Sequence, residues 1–195
     1  MTDLAPLHVL GFAGSLRAGS VNRALLRAAR DLAPVGMTVE TVGLGDLPLY
    51  NADLDTDEAR PEAVVRFKAQ IAVADGLLIA TPEYNHNVSG VLQNAIDWAS
   101  RPAHRSPFVG KPVAIMGAAS GAIGSARAQE QLKVVLMATL AHVFPHRGGV
   151  VGGARQKFGD PAEAGQAPRL TDEPTRDFLA AYLRDFAVYA RRLAG

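Results

Sequence analysis

The sequence has no cysteine among its 195 residues. That absence excludes disulfides, thiolate nucleophiles, thiolate zinc sites and iron–sulfur clusters together. Redox chemistry in such a chain has to be carried by a bound cofactor. An excess of charge is missing too: twenty Lys and Arg stand against nineteen Asp and Glu, a formal net charge of +1. No nucleic-acid surface follows from so balanced a chain, and the arginines form no long basic block. No apolar run approaches the roughly 20 residues of a membrane span. Met1 to Pro6 include Asp3 and no basic residue, unlike a secretory signal, so a cytoplasmic location is the expectation. There is no G-x-S-x-G elbow and no H-E-x-x-H. His142 and His146 are four apart, but Pro145 lies between them, so no metal site is expected.

What is present is an ordinary globular balance, 48% hydrophobic and 20% charged, long enough for one domain over residues 1–195 with a full core. Apolar runs alternate with helical patterns. His8 to Ala13 reads as a buried strand, and Val21 to Leu32 as a helix with Leu25, Leu26, Ala29 and Leu32 on one face. Met37 to Val42 alternates as a strand does. Gly43 to Arg60 reads as a loop, and Pro61 opens a helix continued by Val64, Phe67 and Ile71. Gly76 to Ala80 and Pro112 to Met116 read as buried strands. Ser89 caps a helix carrying Leu92, Ala95, Ile96 and Ala99, and Ala126 to Leu140 forms another. A last strand is placed around Arg147 to Val151. A Gly-, Pro- and Gln-rich stretch that reads as mobile follows, and then a closing helix over Thr171 to Leu193. Strand and helix alternating five times predict a parallel sheet covered on both faces.

Three unusual loops follow the first, third and fourth of these strands: Gly14–Asn22, Thr81–Ser89 and Gly117–Gly124. In an open α/β sheet all three face one edge, outside the carboxyl ends of the strands, where ligands bind. The first loop suits a phosphate. Its glycines let several N–H groups converge, Ser15, Ser20 and Asn22 offer donors, Arg17 offers a charged fork, and a helix N-terminus follows. Gly14 and Gly19 have triphosphate-loop spacing, but Ser20 stands where the lysine belongs, and no clean G-x-G-x-x-G is present. A terminal monophosphate fits better; the bland alternative is a Gly/Ser turn that starts a helix well. In the middle loop, Thr81 is pushed to an extended conformation by Pro82. Exposed backbone groups there can read a flat heterocycle, and Tyr84 can cover a ring or merely pack over the loop or a subunit contact. Glu83 fits a hydrogen-bonding role better than proton transfer, because no partner acid stands at a telling spacing. Small residues in the third loop allow a planar ligand close to the backbone.

The segments 14–22, Thr81-Pro82-Glu83-Tyr84-Asn85 with Asn94-Ala95-Ile96-Asp97-Trp98, and 110–115 running into 124–129 resemble the NADPH-dependent FMN reductase family. This is the flavodoxin-like group that includes bacterial chromate, quinone and azo reductases. The resemblance implies a three-layer α/β sandwich, a five-stranded parallel sheet of order 2-1-3-4-5, bound FMN, and NADPH or NADH as co-substrate. It implies phosphate contacts from Ser15, Arg17, Ser20, Val21 and Asn22, and ring contacts from Pro82, Glu83, Tyr84 and Asn85. Third-loop contacts fall on Gly117, Ala118, Ser120 and Gly121. They are backbone contacts, since alanines stand at 118 and 119 where relatives often have hydroxyl residues. Arg101 could meet the nicotinamide nucleotide, an anionic acceptor or a neighbouring subunit. His86 could touch substrate or be a solvated loop histidine, and Trp98 could be core or interface. The implied activity is hydride transfer from NAD(P)H to FMN, then electron transfer to a quinone, azo compound, chromate or free flavin, with no essential acid or base side chain. A homodimer or homotetramer is implied as well. The competing readings are a flavodoxin-like electron carrier docking a protein partner, for which the chain is insufficiently acidic, and a nucleotide-binding regulator without turnover.

Overall fold

The computed structural model describes residues 6–146, 148–160 and 167–194. Arg147 of the expected last strand, 161–166 of the stretch read as mobile, and the first five residues lie outside them. The central strands are β1 (Leu7–Ala13), β2 (Met37–Val42), β3 (Gly76–Ala80) and β4 (Pro112–Ala118). Every residue of β3 and β4 is buried, as strands covered on both faces require. β2 buries Met37 and Val39 and exposes Thr38 and Glu40, the pattern of an edge strand with one covered face.

The main helices are α1 (Val21–Asp31), α2 (Glu62–Val73), α3 (Gly90–Ala99) and α4 (Ala126–Ala138). A short α5 (Ala154–Lys157) and the closing α6 (Glu173–Ala194) complete the set. All sheet pairings among β1 to β4 are parallel, in the order β2-β1-β3-β4. α1 and α6 pack on one face around Leu25, Leu183 and Phe186; α2, α3 and α4 pack on the other around Phe67, Leu92 and Leu132. This is the expected order with helices on both faces. No described helix is long and apolar enough to cross a membrane.

The fifth sheet position differs from the expectation of one strand. It is filled by two short pieces, β5 (His142–Val143) against Pro112–Val113 and β6 (Gly149–Val151) against Met116–Ala118. The break has local causes. Pro145 has no N–H for the ladder, and Gly148 has φ +93°, which turns the chain. The break would orphan the N–H of Ile115 in the middle of β4. The Tyr182 hydroxyl of α6 accepts from Ile115 N (3.1 Å) instead, and it also donates to Ile115 O (2.7 Å), which the β4–β6 register offers to Gly149 N–H as well. A small antiparallel pair, β7 (Phe158–Gly159) and β8 (Arg169–Leu170), lies apart from the main sheet.

α4 ends at Ala138, two residues before the expected Leu140. Leu140 takes φ +64° while Ala141 N–H bonds to Leu136 O and Leu140 N–H to Met137 O. These are the two bonds of a Schellman ending, here with leucine in the left-handed position.

Candidate functional site

The loops after β1, β3 and β4 meet at the carboxyl edge of the sheet, and specific bonds lock them together. Gly14 N–H donates to Ala80 O (3.0 Å), and Gly14 O accepts from Ser89 Oγ (2.7 Å). A Cβ on Gly14 would lie 2.5 Å from that hydroxyl, so a bare backbone is needed for this approach. Ser89 also caps α3 through Leu92 N–H (3.3 Å). Asn22, buried, clamps the third loop to the first: its Oδ1 accepts from Ala118 N–H (2.8 Å) and its Nδ2 donates to Ala118 O (3.0 Å).

The sequence-predicted residues therefore divide by what they face. Ser20 Oγ caps α1, accepting from Asn22 and Arg23 N–H, and Asn22 ties loop to loop. Both shape the first loop from within. Arg17 is exposed and folds over its own turn, donating to Gly19 O at 2.9 Å. Among the described residues, the N–H groups of 15 to 19 and of Val21 have no protein acceptor. The nearly buried Ser15 hydroxyl has none either. Several unpaired donors in one loop directly before a helix N-terminus are the donor chemistry that an anion calls for.

In the middle loop, Thr81 and Pro82 are buried, and Thr81 Oγ1 donates to Pro82 O (2.9 Å). Tyr84 and Asn87 exchange backbone bonds of 3.1 and 3.0 Å across a tight turn. Asn85 (φ 51°) and His86 (φ 63°) sit at its centre, a type I′ turn without glycine. A non-glycine pair at positive φ stores local strain, of a kind that clusters at functional sites. The turn holds the Tyr84 ring out in solvent at the rim. Its Glu83 reaches α4, where Oε2 accepts from Arg127 N–H (3.0 Å) and Ala128 N–H (3.2 Å). α4 has no cap from its own Ser125, so a carboxylate 12% exposed takes that place and meets the positive end of the helix. Arg127 in turn donates to His86 Nδ1 at 2.8 Å. Glu83 thus holds two loops together, as a hydrogen-bond acceptor.

In the third loop, Gly117 and Ala118 are buried, while Ser120 and Gly121 are exposed. Ala119 N–H donates to Val151 O (3.1 Å) and Ala119 O accepts from Ala154 N–H (3.0 Å), so β6 and α5 support the turn.

Arg101 lies over the Tyr50 ring at 5.9 Å, and Tyr50 packs edge-on against Trp98 at 4.9 Å. Trp98 is fully buried, which settles its open reading in favour of core. Its indole N–H and the Asn94 amide both donate to Pro48 O (2.8 and 2.9 Å), and Tyr50 N–H donates to Asn94 Oδ1 (2.8 Å). The Asn94–Trp98 motif therefore pins the 43–60 loop to α3, past whose C-terminal end Arg101 lies. Sequence reasoning missed that clamp, and it missed Arg127. It also missed a cleft of about 580 Å³ between the first loop, α1 and the end of β2. The available signal was Arg23, Arg27 and Arg30 at helical spacing, directly after the phosphate-type loop.

The model of the NADPH-dependent FMN reductase family matches residues 7–156, which contain all three loops. The chain is 43% identical over 189 residues to an NAD(P)H-dependent FMN reductase of Pseudomonas aeruginosa, covering 97% of this chain and 98% of that one. It is 39% identical to a quinone reductase of Escherichia coli K12 (96% and 97% covered). The solved structure of FerB, a flavoenzyme NAD(P)H:(acceptor) oxidoreductase from Paracoccus denitrificans, superposes with a TM-score of 0.80 at 34% identity, covering 95% of this chain and 98% of that one. Similarity at this level over nearly the full length, with the three loops inside the matched region, makes the chain an oxidoreductase of the NADPH-dependent FMN reductase family.

Proposed function

We propose that the chain is one flavin-binding domain over residues 1–195. It would hold FMN across the three loops and reduce a small-molecule acceptor, first of all a quinone, at the expense of NADPH or NADH. The observation that carries this reading is the cradle of unpaired N–H groups at residues 15 to 19 beside the Ser15 hydroxyl and the start of α1. It has the donor chemistry for a dianionic monophosphate, and Arg17 needs only to leave Gly19 O to add its fork. The N–H groups of Glu83, Asn85, Ser120 and Gly121 likewise have no protein acceptor among the described residues. They supply donors for the polar edge of a tricyclic ring, and Pro82 and Tyr84 supply its apolar and aromatic flanks.

FMN bound there would supply the chemistry of accepting a hydride and returning electrons. The chain's own part is to hold the ring at the sheet edge and to aim backbone donors where negative charge develops. His86 sits in the middle loop beside Tyr84, and Arg101, over the Tyr50 ring beyond the end of α3, could meet an anionic nucleotide or acceptor. The rim is open, so azo compounds, chromate and free flavin are further acceptors within this proposal.

Titration of the purified protein with FMN, followed by stopped-flow mixing with NADPH, tests the reading. Tight binding and rapid bleaching of the flavin absorbance are expected. Arg17→Ala should weaken FMN retention by about 1.5–3 kcal/mol, the range for hydrogen bonds to charged groups. Failure to bind FMN in excess overturns the site, while binding without bleaching would mean an electron carrier.

We also propose a homo-oligomer. Val134, Met137 and Leu140 are exposed on one face of α4 and its end, with exposed Val109 on the loop whose Gly110 N–H bonds Leu140 O. Contiguous apolar surface of this kind marks an interaction site. Light scattering should give a multiple of the chain mass, and Met137→Asp should lower it; a monomeric wild type would overturn the proposal.

A further inference from the structure

The cleft of about 580 Å³ opens on the α1 face of the sheet, beside the first loop and away from the ring contacts of the other two. That is the size range of small-molecule and cofactor pockets. Ser15 and Ala18 of the anion cradle form its near rim, so cradle and cleft are continuous. Its long wall is α1, which presents Arg23, Arg27 and Arg30 at i, i+4 and i+7, one helix face. The far side is the backbone after β2, with Gly43 and Gly45.

No aspartate or glutamate is among the described lining residues, although acids and bases are nearly equal along the chain. The three guanidinium groups are also incompletely paired. Arg23 makes no ion pair with a described residue. Arg27 gives one bond to Ala167 O (3.2 Å) and keeps its other donors. Arg30 lies 3.4 Å from an exposed Asp31. Like charges stacked at helical spacing repel, and an anion with several acceptor oxygens relieves that repulsion. A Cβ on Gly43 would meet nothing within 4 Å, which leaves room for a flat base against bare backbone.

We infer that this cleft takes an adenosine phosphate, the distal half of a dinucleotide, with Arg23 and Arg27 binding its phosphate. The inference rests on the flavin reading above, because the cleft continues from the same cradle. Two dinucleotides carry this group: FAD, whose second phosphate adjoins the first, and NADPH, with its phosphorylated ribose. The shared chemistry is the site's; the source is decided by experiment.

The test uses calorimetry on the FMN-loaded protein and on the Arg23→Ala/Arg27→Ala variant, with thermal melting to confirm folding. A single Arg23→Ala variant serves if the double variant melts early. If NADPH is the source, the loaded protein binds 2′,5′-ADP, and the variant binds it about ten- to a hundredfold more weakly, with FMN affinity unchanged. If FAD is the source, FAD displaces FMN from the wild type, and the variant loses that preference for FAD. In either case, raising salt weakens binding. Two results overturn the inference: no binding of 2′,5′-ADP together with equal affinity for FAD and FMN, or binding that the variants leave undiminished. Failure of FMN itself to bind would instead sink the flavin reading, and the 2′,5′-ADP titration can still be run on that protein.

Discussion

Tyr182→Phe is expected to destabilise the fold by about 1–3 kcal/mol, more than loss of one surface hydroxyl, because the buried Ile115 N–H is left without a partner among the described residues. Ile115 stands in the middle of β4, opposite the gap between β5 and β6. Its N–H points into that gap and meets the Tyr182 hydroxyl, which also donates to Ile115 O. Tyr182 is 2% exposed, so water cannot take over without opening α6. An orphaned buried N–H costs about 1–3 kcal/mol, and the phenylalanine ring keeps the packing, so the loss isolates hydrogen bonding from volume. Burial pushes the Tyr182 phenol well above its usual value, so the hydroxyl stays protonated and able to donate throughout the stable pH range. Urea unfolding of the two proteins measures the difference. A change below about 0.5 kcal/mol, the scale of an ordinary surface substitution, would show that the gap is satisfied some other way.

That same gap shows where the sequence is legible and where it is not. The Gly76–Ala80 run is apolar at every position, so a strand buried on both faces is readable within a few residues; Met37–Val42 alternates, and an edge strand is equally readable. The first loop carries its donors in consecutive residues, so an anion-type pattern is readable from the sequence. Pro145 and Gly148 could have warned of the break in the last strand, yet the hydroxyl that repairs it lies 67 residues from Ile115. Asn22 reads as a ligand donor because its partner, Ala118, is 96 residues away. Glu83 reads as a lone acid because the Arg127 N–H it accepts from lies 44 residues later. The turn at Asn85–His86 has no glycine to announce its positive φ values. Local pattern specifies elements and loop chemistry. Long-range pairing decides whether a polar side chain faces a ligand or the protein, and one sequence without its fold does not display it.

The second large effect is expected at Gly117, where the crevice has least room. A Cβ there would lie 2.0 Å from Ser125 Oγ and 2.3 Å from Thr81 O. Thr81 leads into the middle loop and Ser125 precedes α4, so the methyl group of Gly117→Ala would force apart the two segments that carry the proposed ring contacts. Overpacking in a well-packed interior costs about 1–3 kcal/mol, and one of these contacts is to backbone, which cannot rotate away. We expect destabilisation at or above the top of that range and at least a tenfold loss of FMN affinity. The loss of affinity follows because the third loop can no longer hold its distance from Pro82. Gly117→Ala/Ser125→Ala should recover only part of the stability, since the clash with the Thr81 carbonyl remains. Gly90→Ala, at the start of α3 with nothing within 4 Å of the added carbon, controls for the loss of a glycine and should melt like the wild type. Thermal melts with and without FMN separate the two effects. Full recovery in the double variant would place the whole clash on the Ser125 hydroxyl. Wild-type FMN affinity in Gly117→Ala would mean that the third loop does not contact the flavin, leaving the first two loops to hold it alone.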